Sequence, residues 1–200
     1  MKKISLGLIA SLIAITLFAQ SEKYVNAMQP KVIAIDTTHS VDNLKDLAAA
    51  FERIGDAEKT QWLPYYYAAL ANVNAGNMMM VSGGSVSFAN NTDKTDPVAD
   101  KAEELLNKAE ALSKDNSEIY VVRKMIASLR MMGDPMSRYM TYGPVASEAM
   151  ETAKKLNSEN PRIYLLEGID KFYTPEQYGG SKEDAKKLFE EALKKYRNSL

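Results

Sequence analysis

Cysteine is absent from this sequence, which rules out disulfides, thiolate metal sites, a cysteine nucleophile and a lipidated N-terminal cysteine. Histidine is reduced to His39, in Ile35-Asp-Thr-Thr-His39-Ser40. One imidazole with no cysteine or clustered carboxylate beside it cannot build a structural zinc site, so His39 is read as a loop or pre-helix residue. Glycine and proline, 10 and 7 of 200 residues, are too sparse for a turn-rich β sandwich or a disordered linker protein. Charge of either sign is not in excess. Twenty-five Lys and Arg against 26 Asp and Glu leave a formal charge of -1, with no basic footprint for nucleic acid and no acidic tail. What is present, 46% hydrophobic residues over 200 positions, suits a single helical globule with a real core.

No apolar run reaches the roughly 20 residues that a membrane-spanning helix needs. The longest, Ile4 to Phe18, follows Lys2 and Lys3 and ends at the small residue Ala19. A positive start, an apolar stretch and a small residue at the cleavage point describe a secretory signal peptide over residues 1–19. The expectation is an exported mature chain with no membrane span, in the periplasm or else at the cell surface or in the medium.

Beyond residue 42, short helical patterns alternate with turn signals, and one phrase repeats. Ala102, Leu106, Ala109 and Leu112 precede Asp115-Asn116, and Ala146, Met150, Ala153 and Leu156 precede Asn160-Pro161. Positions three and four apart share one helical face, and small residues among large ones let a neighbouring helix approach closely. Ala185, Phe189 and Ala192 repeat the opening, and Leu47, Phe51 and Ile54 give a degenerate version. Tyr65, Tyr120 and Tyr164 each stand eleven residues after Ile54, Ala109 and Ala153 and are read as hairpin-core anchors. Ala69, Lys124 and Gly168 follow four residues later.

On these residues the chain resembles the tetratricopeptide (TPR) family, with Ala185-Lys-Lys-Leu-Phe189-Glu-Glu-Ala192 the closest match to that family's second helix. The starts of the phrase are 44 and 39 residues apart, longer than the family's usual repeat of about 34, and Lys124 stands where a small residue belongs. The resemblance implies an all-α, TPR-like stack of antiparallel helical hairpins, an α-α superhelix of about seven helices after the signal peptide. The layout is an extended or irregular segment over 20–41, then a TPR-like domain over 42–200. Its first helix lies near 42–55, followed by hairpins 60–76 with 97–112, 117–131 with 144–156, and 160–172 with 182–196. Inserts at 77–96, 133–142 and 173–180 carry the extra length.

No constellation of catalytic residues emerges. Ser82 or Ser85 in the Gly83-Gly84 loop would need a distant His39 as base. Glu103-Glu104 and Glu190-Glu191 point about 100° apart on a helix and have lysines one turn away. Gly83-Gly84 lacks the continuation of a phosphate-binding loop. Met78-Met79-Met80 and Met131, Met132, Met136 and Met140 suit adaptable packing better than soft-metal capture. The expectation is no enzyme, no cofactor and no metal.

The TPR resemblance further implies a concave wall lined from the first helix of each hairpin by Tyr66, Leu70, Val73, Val121, Met125, Leu165, Ile169 and Phe172. That wall is apolar. It either docks an apolar or helical segment of a protein or peptide partner, or is filled by an insert or the leading helix and becomes ordinary core. The function implied is a non-enzymatic interaction module or scaffold. The alternative is a substrate-handling or enzyme-associated envelope protein acting through its inserts.

Overall fold

The computed structural model describes residues 22–82, 85–86 and 89–198; the signal peptide expected over 1–19 lies outside them. The fold is all-α. Eight α-helices run in order among the described residues: α1 (22–37), α2 (Val41–Glu58), α3 (Trp62–Met79), α4 (Thr92–Leu112), α5 (Ser117–Gly133), α6 (Pro135–Leu156), α7 (Pro161–Tyr173) and α8 (Lys182–Asn198). A two-residue antiparallel β-hairpin, Val81–Ser82 with Ser85–Val86, joins α3 to α4, and a 3₁₀ turn, Glu176–Tyr178, lies between α7 and α8.

Three sequence expectations need correction. Residues 22–37, expected to be extended or irregular, form α1. Pro30 in its interior argues against a helix, but Tyr24, Met28, Val32 and Ile35 recur on one face and pack into the core, and that burial outweighs the local penalty. Residues 133–142, expected as an insert, form the last residue of α5, the single linker Asp134 and the first two turns of α6. Pro135 takes the first-turn position, where its missing N–H costs nothing, and Arg138 grips Asp96 of α4 through two parallel hydrogen bonds of 2.7 and 2.8 Å. The insert at 77–96 is shorter than expected, because α3 continues to Met79 and α4 begins at Thr92.

Local chemistry sets the helix starts. Ser40, Asn116 and Asn160 each cap a helix by accepting a backbone N–H with the side chain. Helices then pack as antiparallel neighbours: α3 against both α2 and α4, α5 against α6, and α7 against α8. α1 lies along α2, where Lys23, Tyr24, Ala27 and Lys31 face Ala50, Arg53, Ile54 and Ala57 across a shallow cleft.

The core centres on Phe51, Leu44, Leu105, Leu106, Ile119 and Leu129, all fully buried. α3 is its axis, apolar around nearly its whole circumference and rich in alanine. At Gly76 a Cβ would stand 2.5 Å from Leu129 Cδ2, so α3 and α5 approach this closely only because the side chain is missing. A second, smaller cluster of Val121, Met150, Ala153 and Ile163 joins α5, α6 and α7.

Candidate functional site

The start of α7 is fixed by a buried polar relay. The Asn160 side chain accepts the Arg162 N–H at 2.9 Å and donates to Ser117 Oγ, and that hydroxyl donates to the Ala153 carbonyl at 3.0 Å. Three further contacts pin the helix along its length. Ile163 is fully buried in the smaller cluster. Gly168 lies under the Phe189 ring, where a Cβ would meet Cε1 at 2.6 Å. Asp170 accepts from Lys124 of α5 at 2.8 Å. Lys124, which breaks the small-residue pattern in the sequence, is itself buried and carries its ammonium across to α7.

These contacts use two sides of α7 and leave a third open. Arg162, Leu165, Ile169, Phe172 and Tyr173 recur at three- and four-residue intervals and so share one face, with Leu166 at its edge packed against the smaller cluster. Leu165, Ile169 and Phe172 are 36%, 37% and 43% exposed, and Tyr173 is 78% exposed. The result is an apolar strip along the helix with an arginine at its N-terminal end.

The arginine end is bordered by aromatic rings. On α3, Trp62 and Tyr66 meet edge to face at 5.5 Å, as do Tyr66 and Tyr67 at 5.1 Å. The Tyr66 hydroxyl donates to Glu118 Oε2 of α5 at 2.8 Å, and Arg162 Nε lies 3.4 Å from the same oxygen. Burial opposes the charge on Arg162, but Tyr66, Glu118, Tyr196 and Tyr67 around it hold its pKa above the ordinary guanidinium value. It is a fixed cation. Burial pushes the Tyr66 phenol well above its ordinary range, against the pull of Arg162, so it stays a neutral donor.

The eight expected groove residues divide into two groups. Leu165, Ile169 and Phe172 lie together on the open strip of α7. Tyr66, Leu70, Val73 and Val121 are buried, and Met125 is half-buried between the two clusters. These five are core, because α3 is enclosed by α2, α4 and α5, and Val121 and Met125 of α5 pack into the smaller cluster. Residue spacing marks which positions share a face but not which faces a third helix covers.

Arg162 and Tyr173 were missed. Their signal was in the sequence, since Arg162 stands three residues before Leu165 and Tyr173 four after Ile169. Met136, Tyr139 and Met140, hidden in the supposed insert, are strongly exposed on α6. Lys124 pairs with Asp170, so α7 ends three residues beyond this contact, while α5 runs nine further before turning into α6.

Among the described residues no group of three His, Cys, Asp or Glu is placed to hold a metal ion, and no helix is long and apolar enough to cross a membrane. His39 is exposed at the junction of α1 and α2.

No family model and no curated protein matches the chain. Among solved structures it is similar to the HusA haemophore from Porphyromonas gingivalis, with a TM-score of 0.73 and 34% identity, covering 88% of this chain and 81% of that one.

Proposed function

The chain belongs to one family with the HusA haemophore, and we propose that it is an exported, non-enzymatic binding protein that takes up haem or a related porphyrin on the open face of α7. The observation that carries this reading is the exposed apolar strip Leu165–Ile169–Phe172–Tyr173 on a chain 34% identical to a haemophore. A porphyrin is a flat apolar plate. Covering such a strip removes apolar surface from water on both partners, at about 25 cal/mol per Å². Aromatic rings at Phe172 and Tyr173 offer faces and edges to a conjugated ring. Export follows from Lys2-Lys3 and the Ile4 to Phe18 run, which suit a carrier that meets its ligand outside the cell.

Titration of the mature protein with haem, followed by absorbance, tests the reading. Leu165→Asp with Ile169→Asp alters only exposed positions, so helicity and melting should be preserved while affinity falls at least tenfold. A wild-type chain that binds no porphyrin overturns the function. A double variant that binds at full strength moves the site elsewhere.

The same strip supports a second reading. Apolar anchors at three- and four-residue intervals on a stack of helices also suit the apolar stripe of a helical peptide. A protein or peptide partner was the sequence-based expectation. It stands second because the relative's name specifies haem. Action through the inserts is weaker at 133–142, which α5 and α6 absorb, while 80–91 and 174–180 stay outside the α-helices.

A further inference from the structure

The geometry points to Arg162 as the anchor for a carboxylate of the ligand, so that the site selects porphyrins bearing free acid side chains. The inference rests on the porphyrin reading above and specifies the ligand's chemistry.

Arg162 differs in how its charge is used from the three arginines of α5 and α6, while Arg53 and Arg197, which form no ion pair among the described residues, lie on α2 and α8 away from the strip's own helix. Arg123, Arg130 and Arg138 each place a terminal guanidinium nitrogen 2.7 Å from a carboxylate oxygen. Arg162 approaches Glu118 only through Nε and only to 3.4 Å, and that Glu118 oxygen already accepts the Tyr66 hydroxyl. Neither Nη of Arg162 makes a hydrogen bond among the described residues. A guanidinium fork presents paired donors in the geometry that a carboxylate accepts.

Most nearby lysines are committed elsewhere, and the Lys182 ammonium lies over the Phe172 ring, 5.8 Å from its centre, at the opposite end of the strip from Arg162. Lys124 holds Asp170, Lys154 holds Glu167, Lys195 holds Glu159 and Glu191, and Lys171 donates to the Gly179 carbonyl. Arg162 is also in the right place. It heads the strip, ten residues before Phe172, or about 15 Å along the helix axis. A plate lying on Leu165, Ile169 and Phe172 would bring an acid group on its edge to the N-terminal end of α7. The partly buried position strengthens such a pair relative to one in open water. Two carboxylates face this corner: Glu118, whose charge the Tyr66 hydroxyl and Arg162 Nε offset, and Asp36, which acts on Tyr67.

The test compares protoporphyrin IX with its dimethyl ester, whose acid groups are blocked, against the wild type, Arg162→Gln and Arg162→Lys. The expected result is that the wild type prefers the diacid by on the order of tenfold. Arg162→Gln should erase that preference while leaving ester affinity unchanged, and Arg162→Lys should keep part of it. Equal wild-type affinity for the two porphyrins, or a preference that survives Arg162→Gln, overturns the anchor and leaves the porphyrin reading in place. An equal fall for both ligands in Arg162→Gln shows that the residue only supports the fold, and also overturns it. A wild type that binds neither ligand sinks the porphyrin reading itself.

Discussion

The Tyr66 hydroxyl of α3 donates to Glu118 Oε2 of α5 at 2.8 Å, joining the first helices of successive hairpins through a buried phenol and a half-buried carboxylate. Tyr66 is therefore part of the packing between hairpins. Tyr66→Phe should lower stability by about 1.5 to 3 kcal/mol, the range for losing a hydrogen bond to a charged group. Because the ring is buried, porphyrin affinity should stay within a factor of two of wild type. Chemical denaturation and haem titration of the same variant check both halves, and a large loss of affinity without loss of stability would put Tyr66 in the site.

Gly168 should tolerate no side chain. A Cβ there would meet two Phe189 ring carbons at 2.6 and 2.7 Å, so Gly168→Ala must push α8 away from α7. Alanine in place of a helix-interior glycine ordinarily gains up to about 1 kcal/mol. Here the sign should reverse, to a loss of about 1 to 3 kcal/mol, as for overpacking. Phe189→Ala removes the obstacle, and Gly168→Ala in that background should recover most of its loss. A double-mutant cycle on urea midpoints measures the coupling.

Acid should weaken the clamp between α4 and α6. Hydrogen bonding from Arg138 holds the Asp96 carboxyl below its ordinary value. A depressed folded pKa means stability that is present above the unfolded value near 3.8 and lost as pH falls through the folded value. Asp96→Asn should therefore cost about 1 kcal/mol at neutral pH. The gap between wild type and variant should close as pH falls below the ordinary carboxyl range. Thermal unfolding of both proteins across that range reads the effect, and a constant gap would show that the pair's charge is unimportant.

Haem capture should not need the one histidine. His39 is exposed at the α1–α2 junction, where no residue of the α7 strip is in reach through any contact described above. His39→Ala should leave haem affinity and the absorption spectrum unchanged. A lost or shifted haem band in this variant would mean that the ligand sits at the α1–α2 junction instead.

The sequence by itself determined the helical class and much of the element order. Its determinants are local: apolar residues at three- and four-residue spacing, Asn and Ser caps, and alanine or glycine where helices cross. The same periodicity placed Leu165, Ile169 and Phe172 on one face. It could not show that Tyr66, Leu70, Val73 and Val121 are sealed, because burial depends on how many neighbours surround a helix, and α3 has one on nearly every side. Pro135 takes a free first-turn position, and Pro30 and Pro144 sit inside helices that packing sustains. Only the tertiary structure set Arg162 beside Glu118 and Tyr66. These three residues come from three helices, and long-range packing alone decides that a cation with unused donors stands at the head of an open apolar strip.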